Sequence, residues 1–109
     1  MPFHGDQCRV YRWADGGYRE IYRHPDGNDF YHTVIAGTLA GKPAFIIGAR
    51  KGRGELFTLS WEEGRLACHT IENGIGPCNG AVLHAPGTDY LLVASRYGSL
   101  QQAVYYTLL

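Results

Sequence analysis

The sequence predicts an all-β protein built from a four-stranded unit of about 47 residues that occurs twice. An apolar run of strand length, then a small residue, an arginine, one variable residue and a glycine, is found at 44–52 and again at 90–98. A hairpin pattern is also repeated, with Trp13 and Trp61 at equivalent places. No window of ten or more residues keeps the 3.6-residue period of an amphipathic helix. These observations indicate a repeat architecture made only of strands.

The two hairpins have short strands rich in β-branched and aromatic residues, which favour extended structure. Each hairpin turns at a glycine-containing segment, 15–17 in the first and 62–64 in the second, because glycine supplies the positive φ that such turns need. The predicted hairpin strands are 9–13 with 18–23, and 57–61 with 66–71. A polar connection follows each hairpin, with Gly27 and Gly74 at equivalent places 47 residues apart.

Two further strands complete each unit. Strands 32–37 and 79–84 come after the polar connections, with His32 aligned to Asn79, and short turns lead from them into the apolar strands. If the four strands of the unit are numbered in order, the chain begins with the third and fourth strands of one unit. A complete unit follows, and the chain ends with the first three strands of another. We expect a single domain over 1–109, with repeat-related segments 8–54 and 55–109.

Four strands in 40 to 50 residues are typical of a β-propeller blade. The apolar strands 44–49 and 90–95 have no polar face, as expected where a sheet lies between two neighbouring sheets. The alternative is a nine-stranded β-sandwich or barrel closed within one chain. Because two blades cannot close a ring, the propeller interpretation predicts a homo-oligomer or a piece of a longer propeller.

The unit, with His-x-Val ahead of a short glycine turn and an apolar strand, resembles the FG-GAP and VCBS-type propeller repeats over about residues 30–109. The resemblance implies calcium in an Asp-rich turn between the first two strands. The matching turns here, 38–42 and 85–89, contain one carboxylate, Asp89, whereas calcium takes six to eight oxygen ligands. We therefore expect no calcium and no cofactor. The Trp-Asp dipeptide of WD repeats and the aspartate box of sialidase-like propellers are absent.

Composition excludes several partners. Ten basic and ten acidic residues give a net charge of zero, which argues against nucleic acid and anionic membranes. No apolar run approaches the length of a membrane span, and the first residues lack the pattern of a signal peptide. Three cysteines without scaffold spacing favour reduced thiols and a cytoplasmic location.

The propeller interpretation places the repeated arginines at one mouth of the structure, where the second strand turns into the third. Arginine forks can bind a carboxylate or sugar hydroxyls, and the alternative is that Arg50 and Arg96 bond loop carbonyls or a neighbouring carboxylate as structural residues. Polar residues at the start of the first strand should face the same mouth. The predicted ligand-binding residues are His32, Arg50, Lys51, Asn79, Arg96 and Tyr97.

The sequence contains no recognisable catalytic or metal-binding motif. There is no His-x-x-x-His, no Cys-x-x-Cys and no Gly-x-Gly-x-x-Gly, so neither a metal nor a nucleotide is expected. Cys78 would be a nucleophile only if His32 approached its thiol. We therefore expect a non-catalytic binding module, lectin-like or protein-interacting, for a small acidic or sugar ligand. The alternative is a sugar lyase, dehydratase or isomerase with arginine and histidine around the central channel.

Overall fold

The computed structural model describes residues 5–108 and contains nine strands and no helix within them. The all-β prediction is confirmed. The strands are β1 Arg9–Ala14, β2 Gly17–Arg23, β3 Asn28–Leu39, β4 Lys42–Gly52, β5 Leu56–Glu62, β6 Arg65–Glu72, β7 Pro77–Ala85, β8 Thr88–Tyr97 and β9 Leu100–Leu108. This part of the chain accordingly holds no helix with the length and apolar character of a membrane span.

The strands form three open antiparallel sheets. The N-terminal sheet is β1-β2, the central sheet is β3-β4-β5-β6 and the C-terminal sheet is β7-β8-β9. None of these sheets closes on itself, so a barrel is excluded for the described strands. The sheets pack face to face in a sandwich-like arrangement that measures 46 × 43 × 18 Å.

Two-residue turns fix the register of the hairpins β1-β2 and β5-β6. Asp15 and Gly16 have φ of 52° and 79°, and Glu63 and Gly64 have φ of 52° and 81°. Left-handed backbone at both central residues is the type I′ turn, whose twist matches that of the flanking strands. The second pair from each turn is then Trp13↔Tyr18 and Trp61↔Leu66.

The central sheet is buried on both faces because neighbouring residues of a strand point to opposite sides. Ile46 and Leu56 face the C-terminal sheet and pack in one cluster with Leu91 and Val93. Ile47, Phe57 and Leu59 face the N-terminal sheet and pack against Val10 and Tyr22. Each fully buried aliphatic side chain contributes about 1.5–3 kcal/mol. The two clusters explain why strand 44–49 has no polar face.

For strand 90–95 the described chain covers one side and leaves the other exposed. Leu91 and Val93 are completely buried against the central sheet, whereas Leu92 is 52% exposed on the outer face of the C-terminal sheet. The reason is that the described chain places a sheet on only one side of β8.

Equivalent irregularities occur where β3 and β7 begin. The pairing of β3 with β4 shifts between Tyr31 and Thr33, and that of β7 with β8 shifts between Pro77 and Asn79. The unpaired residues are therefore His32 and Cys78. The sequence alignment of His32 with Asn79 is wrong by one residue, because Thr33 pairs with Gly48 and Asn79 pairs with Ala94, each 46 residues further along the chain.

Candidate functional site

Two cationic side chains and an imidazole surround one aromatic ring at the end of the central sheet. Phe30 lies between the paired residues Asp29–Lys51 and Tyr31–Ala49, so β3 and β4 carry the whole group. Arg50 Cζ is 5.1 Å and Lys51 Nζ is 5.6 Å from the centroid of the Phe30 ring. We call Phe30, His32, Arg50 and Lys51 the cation–ring cluster. Its cations lie within the distance at which an aromatic face attracts them.

Phe30 has a backbone conformation that bulky residues rarely adopt. Its φ is 57°, in the left-handed region, which costs about 1–2 kcal/mol for a residue with a Cβ. The amide N–H of Phe30 donates to Asp29 Oδ1 at 2.7 Å. The His32 ring is stacked on the Phe30 ring, with centroids 5.9 Å apart and planes 11° apart. Strained backbone of this kind is concentrated at binding and active sites.

Arg50 is half-buried and only partly satisfied. Its Nε is buried and has no hydrogen-bond partner among the described residues. An unpaired buried donor costs about 1–3 kcal/mol. Lys51, in contrast, is exposed. The cluster therefore presents a half-buried guanidinium and an exposed ammonium beside the same ring.

His32 approaches residue 78 through the main chain. Its Nδ1 is 2.6 Å from the carbonyl oxygen of Cys78 and donates to it, since a carbonyl only accepts. The thiol of Cys78 faces another carbonyl, that of Gly76, at 3.7 Å. These contacts link the two bulged residues to each other and to the loop, and they do not pair the imidazole with the thiol.

The ends of β4 and β8 converge on Gly76. The N–H of Arg96 donates to the Gly76 carbonyl at 3.0 Å, and the Tyr97 hydroxyl donates to the Gly52 carbonyl. A Cβ on Gly76 would lie 2.2 Å from the Arg96 carbonyl oxygen and 3.0 Å from that of Arg50. The loop can pass between the two arginines only because residue 76 is glycine.

The structure thus brings His32, Arg50 and Lys51 together at Phe30. Arg96 contributes its main chain to the adjoining loop, and its side chain is exposed. The amide oxygen of Asn79 accepts from the N–H of Gly80 at 2.8 Å. Sequence reasoning missed Phe30, although an aromatic residue directly after a polar connection was a signal.

A second polar group, which sequence reasoning also missed, is buried around Glu55. Only 4% of the Glu55 side chain is exposed. Its Oε1 accepts from His24 Nε2 at 2.7 Å, Asn28 Nδ2 at 2.8 Å and Arg53 Nη2 at 3.1 Å. Its Oε2 accepts from Thr70 Oγ1 at 2.6 Å. We call these five residues the Glu55 network.

The network keeps Glu55 ionised. Burial alone would raise the pKa of this carboxyl, but the hydrogen bonds from Thr70, His24, Asn28 and Arg53 outweigh it and lower the pKa to about 2. The His24 imidazole is also held through its ring face, which stacks on Phe57 with centroids 3.8 Å apart. A charge with this many partners has no capacity left for a ligand.

Arg53 bonds loop carbonyls and a carboxylate, which is the structural role considered as the alternative for Arg50 and Arg96. Besides Glu55, it donates to the carbonyl of Pro25 at 3.3 Å and to that of Asp26. Its own N–H donates to the Gly27 carbonyl at 2.8 Å. It therefore ties the connection between β2 and β3 to the start of β5. A carboxylate at the start of the apolar strand β5 was the sequence signal for this network.

The three cysteines are free thiols. Burial, with Cys68 and the carboxylate of Glu55 nearby, raises the pKa of Cys8 to about 11, so this thiol is protonated and unreactive at neutral pH. Within residues 5–108 no group of three or more His, Cys, Asp or Glu side chains is placed to hold a metal ion.

Comparisons with protein-family models, curated proteins and solved structures find no match to this chain.

Proposed function

We propose that this chain is a non-catalytic binding module whose cation–ring cluster binds the carboxylate of a small acidic or sugar ligand. The observation that carries the proposal is the placement of Arg50 and Lys51 at 5.1 and 5.6 Å from the Phe30 ring. Overall neutrality gives no long-range attraction to polyanions, so the selection of a ligand rests on local contacts.

Each member of the cluster has a distinct part in this proposal. The Arg50 guanidinium forks onto the two carboxylate oxygens, which is the strongest form of charge-assisted hydrogen bond. Lys51 adds a point charge on a flexible stem. The Phe30 ring attracts both cations to one place, and its strained backbone holds the ring there before binding.

We further propose that the three sheets are successive blades of a propeller. The order β3-β4-β5-β6 is that of a complete blade, and the other two sheets would be the last two and the first three strands of adjoining blades. The burial of the central sheet on both faces supports this arrangement. The kinship with FG-GAP and VCBS-type repeats remains a prediction.

Calorimetric titration with glucuronate, and with glucose as its uncharged counterpart, tests the binding proposal. We expect Arg50→Ala to weaken glucuronate binding roughly ten- to hundredfold, since a hydrogen bond to a charged group is worth about 1.5–3 kcal/mol. The melting temperature should change little. Arg96→Ala should weaken binding less, because its exposed side chain lies outside the cluster. Arg12→Ala, an exposed arginine on β1, is the matched control.

Two results would reject the proposal. One is glucuronate binding that is equal in the wild type and in Arg50→Ala. The other is a large drop in melting temperature for both arginine variants, which would make them structural residues. An NMR time course of the bound sugar separates the enzyme alternative, because new sugar resonances that disappear in His32→Ala would indicate catalysis.

A further inference from the structure

Two apolar surfaces of the described chain are left uncovered. The end patch is the outer face of the C-terminal sheet, formed by Ala81, Leu83 and Leu92, with Leu83 63% and Leu92 52% exposed. The side groove lies where β1 ends the two-stranded N-terminal sheet. It is about 230 Å3 in volume and is lined by Val10, Val34, Phe45 and Ile47 together with polar residues of segment 7–9. Val34 is 69% exposed.

The contact between the central and C-terminal sheets shows what the end patch would pack against. Ile46 is 2% exposed because it packs in one cluster with Leu91 and Val93. Leu92 follows Ile46 by 46 residues and occupies the same place in its own apolar strand. The exposed side of Leu92 therefore corresponds to the side of Ile46 that a further sheet covers.

The same offset of 46 residues identifies the residues that the end patch would contact. Residues 46 positions before Leu91 and Val93 are Phe45 and Ile47, which line the side groove. Ile35 Cδ1 lies 3.3 Å from the place that a Cβ on Gly80 would take. The residue 46 positions after Ile35 is Ala81, in the end patch, and the residue 46 positions before Gly80 is Val34, in the side groove. The contact between Ile35 and Gly80 therefore corresponds to a contact between Ala81 and Val34.

We infer that the end patch of one copy of this chain docks in the side groove of a second copy, in the way the C-terminal sheet packs on the central sheet. Leu92 then lies on Phe45 and Ile47 of the second copy, and Ala81 lies on its Val34. Because patch and groove are different surfaces, the contact is heterologous, and each copy can use both.

The edge strands fit the same arrangement. The groove lies beside β1, whose only strand partner among the described residues is β2. Docking places β7 and β8 at that edge and completes a four-stranded sheet with β1 and β2 of the second copy. By sequence, β9 and β1 both hold the third place of the unit. Docking therefore requires β9, which pairs with β8 in the single chain, to leave that edge to the second copy's β1.

Mixing two variants tests the inference. In sedimentation velocity, the wild type should form oligomers, while Leu92→Lys and Val34→Lys should each associate at least tenfold more weakly. Leu92→Lys keeps an intact groove and Val34→Lys keeps an intact patch. An equimolar mixture should therefore form a one-to-one heterodimer. Ile21→Lys, at an exposed apolar residue of β2 outside both surfaces, should assemble as the wild type does.

Disulfide trapping gives a second measurement. Val34→Cys mixed with Ala81→Cys should form a crosslinked heterodimer on mild oxidation, and Val34→Cys mixed with Arg65→Cys should not. A wild type that stays monomeric at high concentration would overturn the inference. So would continued self-association of Val34→Lys through its patch alone, because that contact would join two patches.

Discussion

The Glu55 network and the cation–ring cluster are neighbours along the chain but differ in how their charges are satisfied. Asn28 of the network is two residues from Phe30 of the cluster. The Glu55 carboxylate is 4% exposed and accepts four hydrogen bonds, whereas the buried Nε–H of Arg50 has no partner within residues 5–108. The difference agrees with a structural role for the first group and with the ligand-binding role that we propose for the second.

The largest effect is expected for Glu55→Gln. A neutral amide in place of the carboxylate leaves the donors of His24 and Arg53 without their anionic acceptor, and breaking a buried pair costs about 3–5 kcal/mol. Denaturant unfolding should show this loss. Glu62→Gln is the matched control, because Glu62 also pairs with a histidine, His69 at 3.1 Å, but on an exposed surface. Equal losses in the two variants would contradict the structural role of the network.

Acid should remove part of the same stabilisation. The pKa of Glu55 in the folded chain is about 2, below its ordinary value of 4.5, so its contribution is complete above pH 4.5 and is lost as the pH falls towards 2. Such a lowering corresponds to at most about 3 kcal/mol. Solvent near Arg53, whose side chain is 34% exposed, reduces this value, so we expect about 2 kcal/mol.

The measurement is the free energy of unfolding of the wild type and of Glu55→Gln between pH 7 and pH 3. Because Glu62 and Asp89 also have lowered pKa values, the difference between the two proteins isolates the part due to Glu55. Parallel pH profiles would mean that Glu55 titrates normally in the folded chain.

Two variants at Phe30 test whether the backbone of the cation–ring cluster is strained. Phe30→Gly and Phe30→Ala remove the same ring, but only glycine adopts a φ of 57° without a steric cost. Phe30→Gly should therefore be about 1–2 kcal/mol more stable than Phe30→Ala in thermal or denaturant unfolding. Equal stabilities would show that the backbone at residue 30 is not strained.

The strands and hairpins could be predicted from sequence because they depend on local pattern. Alternating apolar residues and glycine turns identify the hairpins around Trp13 and Trp61, which the structure contains. The arrangement of the sheets depends on contacts between distant segments, such as Ile46 with Leu91, and no local pattern reports them. For that reason the local pattern of strand 90–95 could not show which of its sides is exposed.

The candidate site was harder to predict for the same physical reason. Arg50, Lys51 and His32 follow from the repeat, but Phe30 has a backbone that runs against the preference of its residue type. The donors to Glu55 come from separate segments of the chain, so no single stretch of sequence contains the network. The bulge at His32 is also invisible in the apolar pattern.

The smallest effect is expected for the contact between Lys51 and Phe30. An exposed cation beside an aromatic face contributes about 0.5–1 kcal/mol, and side-chain entropy opposes it. In a double-mutant cycle with Lys51→Met and Phe30→Leu, the coupling energy from denaturant unfolding should be about 0.5 kcal/mol. Methionine keeps most of the apolar stem and leucine keeps an apolar side chain, so the cycle reports mainly the charge and the ring.

The size of this coupling decides how far the cluster differs from the Glu55 network. A weak coupling means that the ammonium leaves the ring at little cost and is available to a carboxylate. A coupling of about 2 kcal/mol or more would instead place Lys51 among the desolvated cation–ring pairs, which are structural. Lys42→Met, at an exposed lysine whose Nζ is 3.8 Å from Glu62, provides the reference for a surface lysine. With Phe30 present, Lys51→Met should lower the free energy of unfolding no more than Lys42→Met does. The Lys51 ammonium is then held loosely enough to bind a ligand.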